Sequence, residues 1–446
     1  MNKVVLAIGT VAVLGGGYVG ASWYAGQQVE SSLAAGASEL SKYPIIKTVS
    51  RDFQKGLFSS VENVTYQIGC ESGLEAGNPL QGKVGTITLK NSISHQPFNL
   101  AIQTQIQYDD KIKAELAKIF KDKEPLSIQT KLGLTGSLQT ELTTPSFIVD
   151  DAEGRMEWKG LSANIKSDRE LSFLDSHFKM GGFDLVLKAK GEQISIGEID
   201  YQSNRKKVAD GLYAGNDQLT IAAMSFNGKD SAKSFNLGKS DFSGETQIDA
   251  GFMRSAFKGS IADVALNKKK IGDLNLDYAL EHIDTKAIKA INDAVWVNGI
   301  LQCKSDPALQ TKVMLEQIQA IVEKDPKFTQ KLALKTAEGE TNLSLQLLGK
   351  GLTKADLASP DLLMAKLDAA LALQVPNAFV ERIIREMDTP ENAEAKLTMF
   401  QAGLGASVQQ GYVESDGKMI KSNFTLQNGK TTLNGKPFDL KQFKGL

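Results

Sequence analysis

LSIQTKLGLTGSLQTEL, residues 126–142, is the stretch that decides the fold. Leu126, Ile128, Thr130, Leu132, Leu134, Leu138, Thr140 and Leu142 alternate with mainly polar or small neighbours. Period two marks a strand with one buried face. Read as a single strand, the stretch would run about 55 Å at ~3.4 Å per residue. That is far beyond the usual length of roughly five or six residues.

The same period returns along the chain. It appears in Phe98, Leu100, Ile102, Ile106 and Tyr108, and again in Phe183, Leu185 and Leu187. Leu274, Leu276, Tyr278 and Leu280 repeat it, as do Leu343, Leu345 and Leu347. Gly181-Gly182 and Asn428-Gly429 between such runs are expected to be hairpin turns, since Asn-Gly accepts the positive φ of a tight turn. Forty glycines against 11 prolines, with 41% hydrophobic and 23% charged residues in a chain of 446, suit many short-turned strands around a sizeable core. The expected fold is mainly β with packing helices (α+β), its long antiparallel strands forming a curved or groove-like sheet.

Helical spacing interrupts the strands. Ile288, Ile291 and Val295, then Val313, Ile318, Ile321 and Val322, place a helical insertion near residues 284–325. Pro376 ahead of Phe379, Val380, Ile383 and Ile384, with a further run from Pro390 towards Leu404, places a second near 359–405. Amphipathic helices of this kind act as lids on an open sheet.

After Lys3 there is no charged side chain until Glu30, and roughly 20 apolar residues suffice to span a bilayer. Residues 1–26 therefore read as one transmembrane anchor. Lys3 marks one membrane interface, and Trp23 and Tyr24 mark the other. This orientation leaves the N-terminus cytoplasmic and the body outside. Residues 27–45 are expected to continue as a helical stalk that lifts the body, residues 46–446, off the membrane. The alternative is a signal peptide cleaved near Val19-Gly20-Ala21. The length of the uncharged run, and Trp23 and Tyr24 beyond that point, favour the anchor.

Four local patterns occur in order from end to end: Trp23-Tyr24 with Gly26; Lys55-Gly56-Leu57-Phe58-Ser59-Ser60; His95-Gln96-Pro97-Phe98; and Asn428-Gly429-Lys430 with Leu433-Asn434-Gly435. Together they resemble the YdgA and YihF family of Gram-negative envelope proteins, a domain-of-unknown-function group. The resemblance implies a single-pass inner-membrane protein with a periplasmic body and without known catalytic residues, for which self-association is open. Gln96 stands where the family's His-Gly-Pro-Phe pattern has glycine.

Sequence motifs for chemistry are missing. Gly238-Lys239-Ser240 and Gly429-Lys430-Thr431 match the end of a phosphate-binding loop, but Lys233 and Phe424 occupy the place of its first glycine. His95, His177 and His282 each stand alone in sequence. His95 beside Pro97 is expected to be a turn residue, and His282 a strand-end surface residue. Asp109-Asp110 and Asp150-Asp151 read as solvated loop charges. No catalytic residue, cofactor or metal is expected, and a formal net charge of -1 argues against a nucleic-acid partner. Cys70 and Cys303 are the only cysteines. An oxidising compartment favours pairing them; two separate buried thiols are the alternative. Two functions remain in view. One is a non-enzymatic lipid-binding protein whose groove includes Ile128, Leu132 and Leu134; the other is an interaction protein that forms a homo-oligomer or docks an envelope partner.

Overall fold

The computed structural model describes residue 22 and residues 26–72, 82, 84–96, 99–121, 123–133, 136–209, 211–229, 233–304, 306–387 and 389–439. Lys3, Trp23, Tyr24 and Leu134 lie outside the described residues, as does the anchor segment apart from Ser22 and Gly26. No helix among the described residues is long and apolar enough to cross a membrane.

Within this region 26 strands form one antiparallel sheet that is not closed. Its first part is a simple meander of β1 (Ile46–Lys55), β2 (Ser59–Ile68), β3 (Gly85–Gln96), β4 (Asn99–Gln107), β5 (Ser127–Leu132) and β6 (Ser137–Thr144). The next strands, in chain order, are β7 (Phe147–Asp150), β8 (Gly154–Trp158), β9 (Leu161–Asp168), β10 (Phe173–Met180), β11 (Phe183–Leu187) and β12 (Glu192–Ile196). They are followed by β13 (Ile199–Ala209), β14 (Leu212–Ile221), β15 (Met224–Asn227), β16 (Ser234–Leu237) and β17 (Ser240–Asp249). From β6 the main ladder passes through β9, β10, β13, β14 and β17. It then runs through β18 (Phe252–Leu266), β19 (Lys269–Asp284), β20 (Lys327–Thr336), β21 (Gly339–Gly349) and β22 (Leu367–Pro376). Beyond β23 (Glu414–Ser415), the ladder ends in β24 (Met419–Gln427), β25 (Lys430–Leu433) and β26 (Lys436–Pro437).

The strands left out of the main ladder form a second, shorter one, β7–β8–β11–β12–β15–β16, which rejoins the sheet on β18. Each continues a main-ladder strand across a two-residue break: Pro145-Ser146, Lys159-Gly160, Gly181-Gly182, Gly197-Glu198, Ala222-Ala223 and Gly238-Lys239. The breaks lie side by side. Gly181 N–H donates to Gly160 O at 2.9 Å and Gly197 N–H to Ala223 O at 2.8 Å, so the interruption is a hydrogen-bonded crease across the sheet. Gly181-Gly182 is thus no hairpin. A Cβ at Gly181 would stand 2.5 Å from Lys159 O, so glycine is there for close backbone approach. Asn428-Gly429 does form a tight hairpin, with φ of 50° and 74°.

Residues 126–142 also differ from the single strand expected. β5 stops at Leu132 and β6 starts at Ser137; Gly133 N–H donates to Ser137 O at 2.8 Å and Gly136 has φ 86°. Both flanks keep period two, so a reversal of direction left no mark in the alternation. Unusually long strands lie further on, in β18 with 15 residues and β19 with 16.

Among the helices, α1 (residues 26–40) covers most of the 27–45 segment read as a helical stalk, and it packs on the sheet, with Val29 and Leu33 against Phe53, Ile93, Leu100, Ile102 and Leu132. Its apolar side chains recur at helical spacing and are buried there. α2 (Asp110–Phe120) begins at Asp109, whose side chain accepts from Ile112 N–H at 2.8 Å; that acidic residue is an N-cap rather than a loose loop charge. Residues 284–325 hold α3 (Thr285–Asn292), a π-turn (Asp293–Val297), a 3-10 turn (Ile300–Gln302) and α4 (Pro307–Val322). The region 359–405 is divided, because β22 lies between α6 (Pro360–Lys366) and the pair α7 (Asn377–Met387) and α8 (Pro390–Gln409); α5 (Lys354–Leu357) precedes α6. Leu367, Ala369, Leu371, Leu373 and Val375 carry the strand's period.

Candidate functional site

Side chains directly opposite on paired strands share a face. One row can be followed across 12 strands: Ile128, Leu142, Ala163, Phe178, Tyr201, Leu219, Phe242, Gly259, Leu276, Leu332, Leu343 and Leu373. The neighbouring row on the other face reads Ser162, Lys179, Asp200, Thr220, Asp241, Ser260, Asn275, Ala333 and Asn342. The sheet therefore carries an apolar row across most of its width, with a polar row on the other face; beside the apolar row, on its own face, stand Ser176, Ser203 and Asp217. At Gly259 the missing side chain makes room for the Phe242 ring, 2.7 Å from where a Cβ would stand. Phe242 stacks on Phe257 at 5.8 Å, and Phe257 meets Tyr278 at 5.5 Å. Trp158 of the shorter ladder donates through Nε1 to Thr144 Oγ1 at 2.9 Å. Since Thr144 pairs with Leu161 on the apolar side, the crease keeps Trp158 on that side.

Apart from Ala163 and Gly259, this row is only half-buried. The chain exposes 26669 Å² of surface, where a compact globule of its 48.2 kDa would expose about 16,500 Å². Ile128 lies on the row, whereas Leu132 sits under α1 with the buried pair Ile93 and Ile102.

A second feature lies where the N-terminal segment meets the sheet. His95 is fully enclosed, 0% exposed, within β3 and not in a turn. Its Nδ1 donates to the Ser22 carbonyl at 2.9 Å, which leaves Nε2 facing Ser60 Oγ at 3.1 Å. His95 N–H donates to Phe58 O at 3.0 Å, and a Cβ at Gly26 would strike the imidazole at 2.8 Å. Residues from three of the sequence patterns, at Gly26, Phe58-Ser60 and His95, thus converge on one point. Through this enclosed His95 the Ser22 carbonyl is tied to Ser60 of β2. Beside it Arg51 Nε donates to Glu62 Oε1 at 2.6 Å, Asn91 Nδ2 to Glu62 Oε2 at 2.7 Å, and Thr104 Oγ1 to Asn91 Oδ1 at 2.7 Å. This polar ladder crosses β1 to β4 beneath α1, and nothing in the alternation of the strands announces it.

Cys70 and Cys303 form a disulfide across a separation of 233 residues. Around it Ile45, Ile46, Tyr43, Ile300 and Leu301 pack together, and Ile45 N–H donates to Leu301 O at 3.3 Å. The start of the sheet is thereby joined to the segment that follows β19.

The other histidines stand apart. His177 faces Asp200 at 3.1 Å on the polar side, and His282, exposed near the end of β19 with φ 61°, stacks on Phe252 at 3.9 Å. Among the described residues no group of His, Cys, Asp and Glu is arranged to hold a metal. Asp150 pairs with Lys188 at 2.6 Å, and Asp151 Oδ1 accepts from Glu153 N–H and Gly154 N–H.

The chain is similar to Protein YdgA of Escherichia coli (strain K12), with 22% identity over 493 aligned positions that take in 100% of this chain and 97% of that protein. No solved structure matches it. The family model described as bacterial protein of unknown function (DUF945) matches residues 1–441, and the chain belongs to that family.

Proposed function

We propose that this chain is a non-catalytic, single-pass inner-membrane protein whose periplasmic body receives lipid acyl chains on the apolar face of its sheet. The observation that carries the reading is the row from Ile128 to Leu373, which runs across 12 strands and, Ala163 and Gly259 apart, is only half-buried by the chain itself. An apolar face left in water is costly, at about 25 cal/mol per Å². Acyl chains would cover it without any specific polar partner.

Curvature supports the same reading. From β2 to β19 the main ladder takes 11 strand steps, about 53 Å if flat at ~4.8 Å each. Residues 285–303, which connect β19 to the disulfide, are helical or turned almost throughout and reach about 28 Å at ~1.5 Å per residue. A disulfide closed over that reach favours a rolled sheet. α1 lies on the apolar side, so the roll would turn that side inward and make a groove.

Phospholipid counted per chain after purification of the full-length protein in mild detergent is the test. Lipid in excess of that held by a one-helix anchor protein is expected, and Leu219→Asn with Phe242→Asn is expected to lower it while the far-UV spectrum is kept. Lipid no higher than in the one-helix control would overturn the reading. The placement itself is tested by carbonate extraction and by protease added to spheroplasts, which should digest the body.

A second reading, an interaction protein that self-associates or docks an envelope partner, draws on α4 and the π-turn before it. Leu309, Leu315, Ile318 and Trp296 are exposed there. Light scattering across a concentration series separates the two readings: concentration-dependent mass with no excess lipid favours this one.

A further inference from the structure

We propose that the sheet edge at which the N-terminal segment enters the fold rests on the bilayer, its loops pressing apolar side chains into the headgroup region. The inference rests on the anchored reading above and deepens it by assigning the membrane-facing edge.

The ladder registers place the β1–β2, β9–β10 and β13–β14 turns on one edge, together with the α5–α6 connection between β21 and β22. His95, which holds the Ser22 carbonyl, sits at this edge, next to the β1–β2 turn. Before Ser22 the chain has no charged side chain back to Lys3. An uncharged segment of that length is fixed in space at its far end by a fully enclosed histidine, so whatever it enters lies next to this edge.

The loops there carry what an interface favours. Leu57 is 47% exposed in the β1–β2 turn, Leu171 49% in the β9–β10 turn and Val208 47% in the last residues of β13, and Leu357 and Leu362 are exposed in α5 and α6. Leu171 takes φ 51°, a left-handed conformation that suits Gly or Asn far better than a branched side chain. A turn that keeps an exposed leucine there serves something other than its own folding. Lys206 and Lys207 lie exposed beside Val208, as cations do next to anionic headgroups.

The hairpins of the opposite edge are more highly charged at their tips, although Ile68, Ile148 and Leu266 are exposed near them. Their tips carry exposed Asp151, Glu153, Lys188, Lys190, Lys229 and Lys268. Scattered single apolar residues are ordinary on any surface. What sets Leu57, Leu171 and Val208 apart is their place, on the edge at which His95 holds the Ser22 carbonyl. A lipid surface accepts such isolated apolar tips flanked by basic residues; a protein partner would need a contiguous patch.

Leu171→Cys, Val208→Cys and Lys190→Cys, each carrying a nitroxide in the full chain, would be reconstituted in phosphatidylethanolamine–phosphatidylglycerol vesicles. The ratio of oxygen to nickel-chelate accessibility is expected to be several-fold higher at positions 171 and 208 than at 190. Equal ratios at all three positions, or an immobilised label at 171 with low oxygen access, would overturn the proposal, the second result pointing to a protein partner. A Leu57→Cys label replaces either variant that fails to fold. Carbonate extraction of the same samples reads the anchor alone, so a chain that stays in the membrane with equal label ratios refutes the edge and leaves the anchor standing.

Discussion

The two halves of the apolar face are made of the same kinds of residue and meet different fates. From β1 to β5 it lies under α1, and Val29, Val64, Ile93 and Ile102 are buried around the enclosed His95. From β9 to β22 it continues as Phe178, Tyr201, Leu219, Phe242, Leu276 and Leu343, all half-buried. Hydrophobic patterning alone thus decides that a face must be covered. It does not decide whether the cover is part of the same chain.

Removing the disulfide should have the largest effect. Cys303→Ser releases a loop constraint of 233 residues, worth about 5 kcal/mol in the chain-entropy view. If covered and bare halves unfold as one unit, the urea midpoint falls equally for helix and strand signals. A change confined to hydrogen exchange around residues 300–303 would break the comparison by making the halves independent. Thiol labelling of the denatured, unreduced protein should find no reactive thiol.

Next comes a matched pair. Ile93→Ala, in the covered half, should cost about 2–5 kcal/mol because it leaves a cavity. Leu219→Ala, in the bare half, should cost about 1 kcal/mol in lipid-free protein, because its side chain is already half in solvent. Equal losses by chemical denaturation would mean that the bare half is packed after all.

The smallest effect is local and set by pH. Asp356, buried in the loop between β21 and β22, accepts from Lys366 Nζ at 2.7 Å and from Thr353 Oγ1 at 2.6 Å. The Lys366 contact first, then Thr353, hold its carboxyl down from an ordinary 3.8 to about 2. A lowered folded-state pKa stabilises fully above the unfolded value, so the contribution is intact above about pH 4 and lost as pH falls towards 2. Hydrogen-exchange protection in α5 and α6, corrected for the intrinsic pH dependence of exchange, should fall over that window and stay constant over pH 5–7, with α1 unchanged. An equal fall in α1 would show that this loop reports on the whole fold.

Much of this architecture is legible in the residues. Period two marks the strands around Leu274 to Leu280 and Leu343 to Leu347, and Asn428-Gly429 marks a hairpin, because pleat and turn geometry act over two to four residues. The crease is not legible. Gly181-Gly182 supports a turn as well as a close approach, and only the neighbouring breaks in adjacent strands tell them apart. The turn within residues 126–142 was hidden because alternation resumes in phase on both sides. The apolar side of α1 marks a helix that needs a partner surface, yet the side on which it docks depends on strands far along the chain. Of the site, the apolar face was readable; the enclosure of His95 was not, since that side chain is placed by Ser22, Phe58 and Ser60 together.

The meander has a temporal consequence. Nearly every strand pairs with one made shortly before it, and the shorter ladder is completed inside the hairpins of the main one, so most of the sheet can assemble in order as the chain is synthesised. The Cys70–Cys303 bond is the exception. Cys70 waits as a thiol while β3 to β19 are laid down, and oxidation seals the order of assembly only when residue 303 arrives. A chain stalled before that point would hold a folded but unlatched sheet with a single reactive cysteine, a species that disulfide-exchange enzymes are suited to recognise.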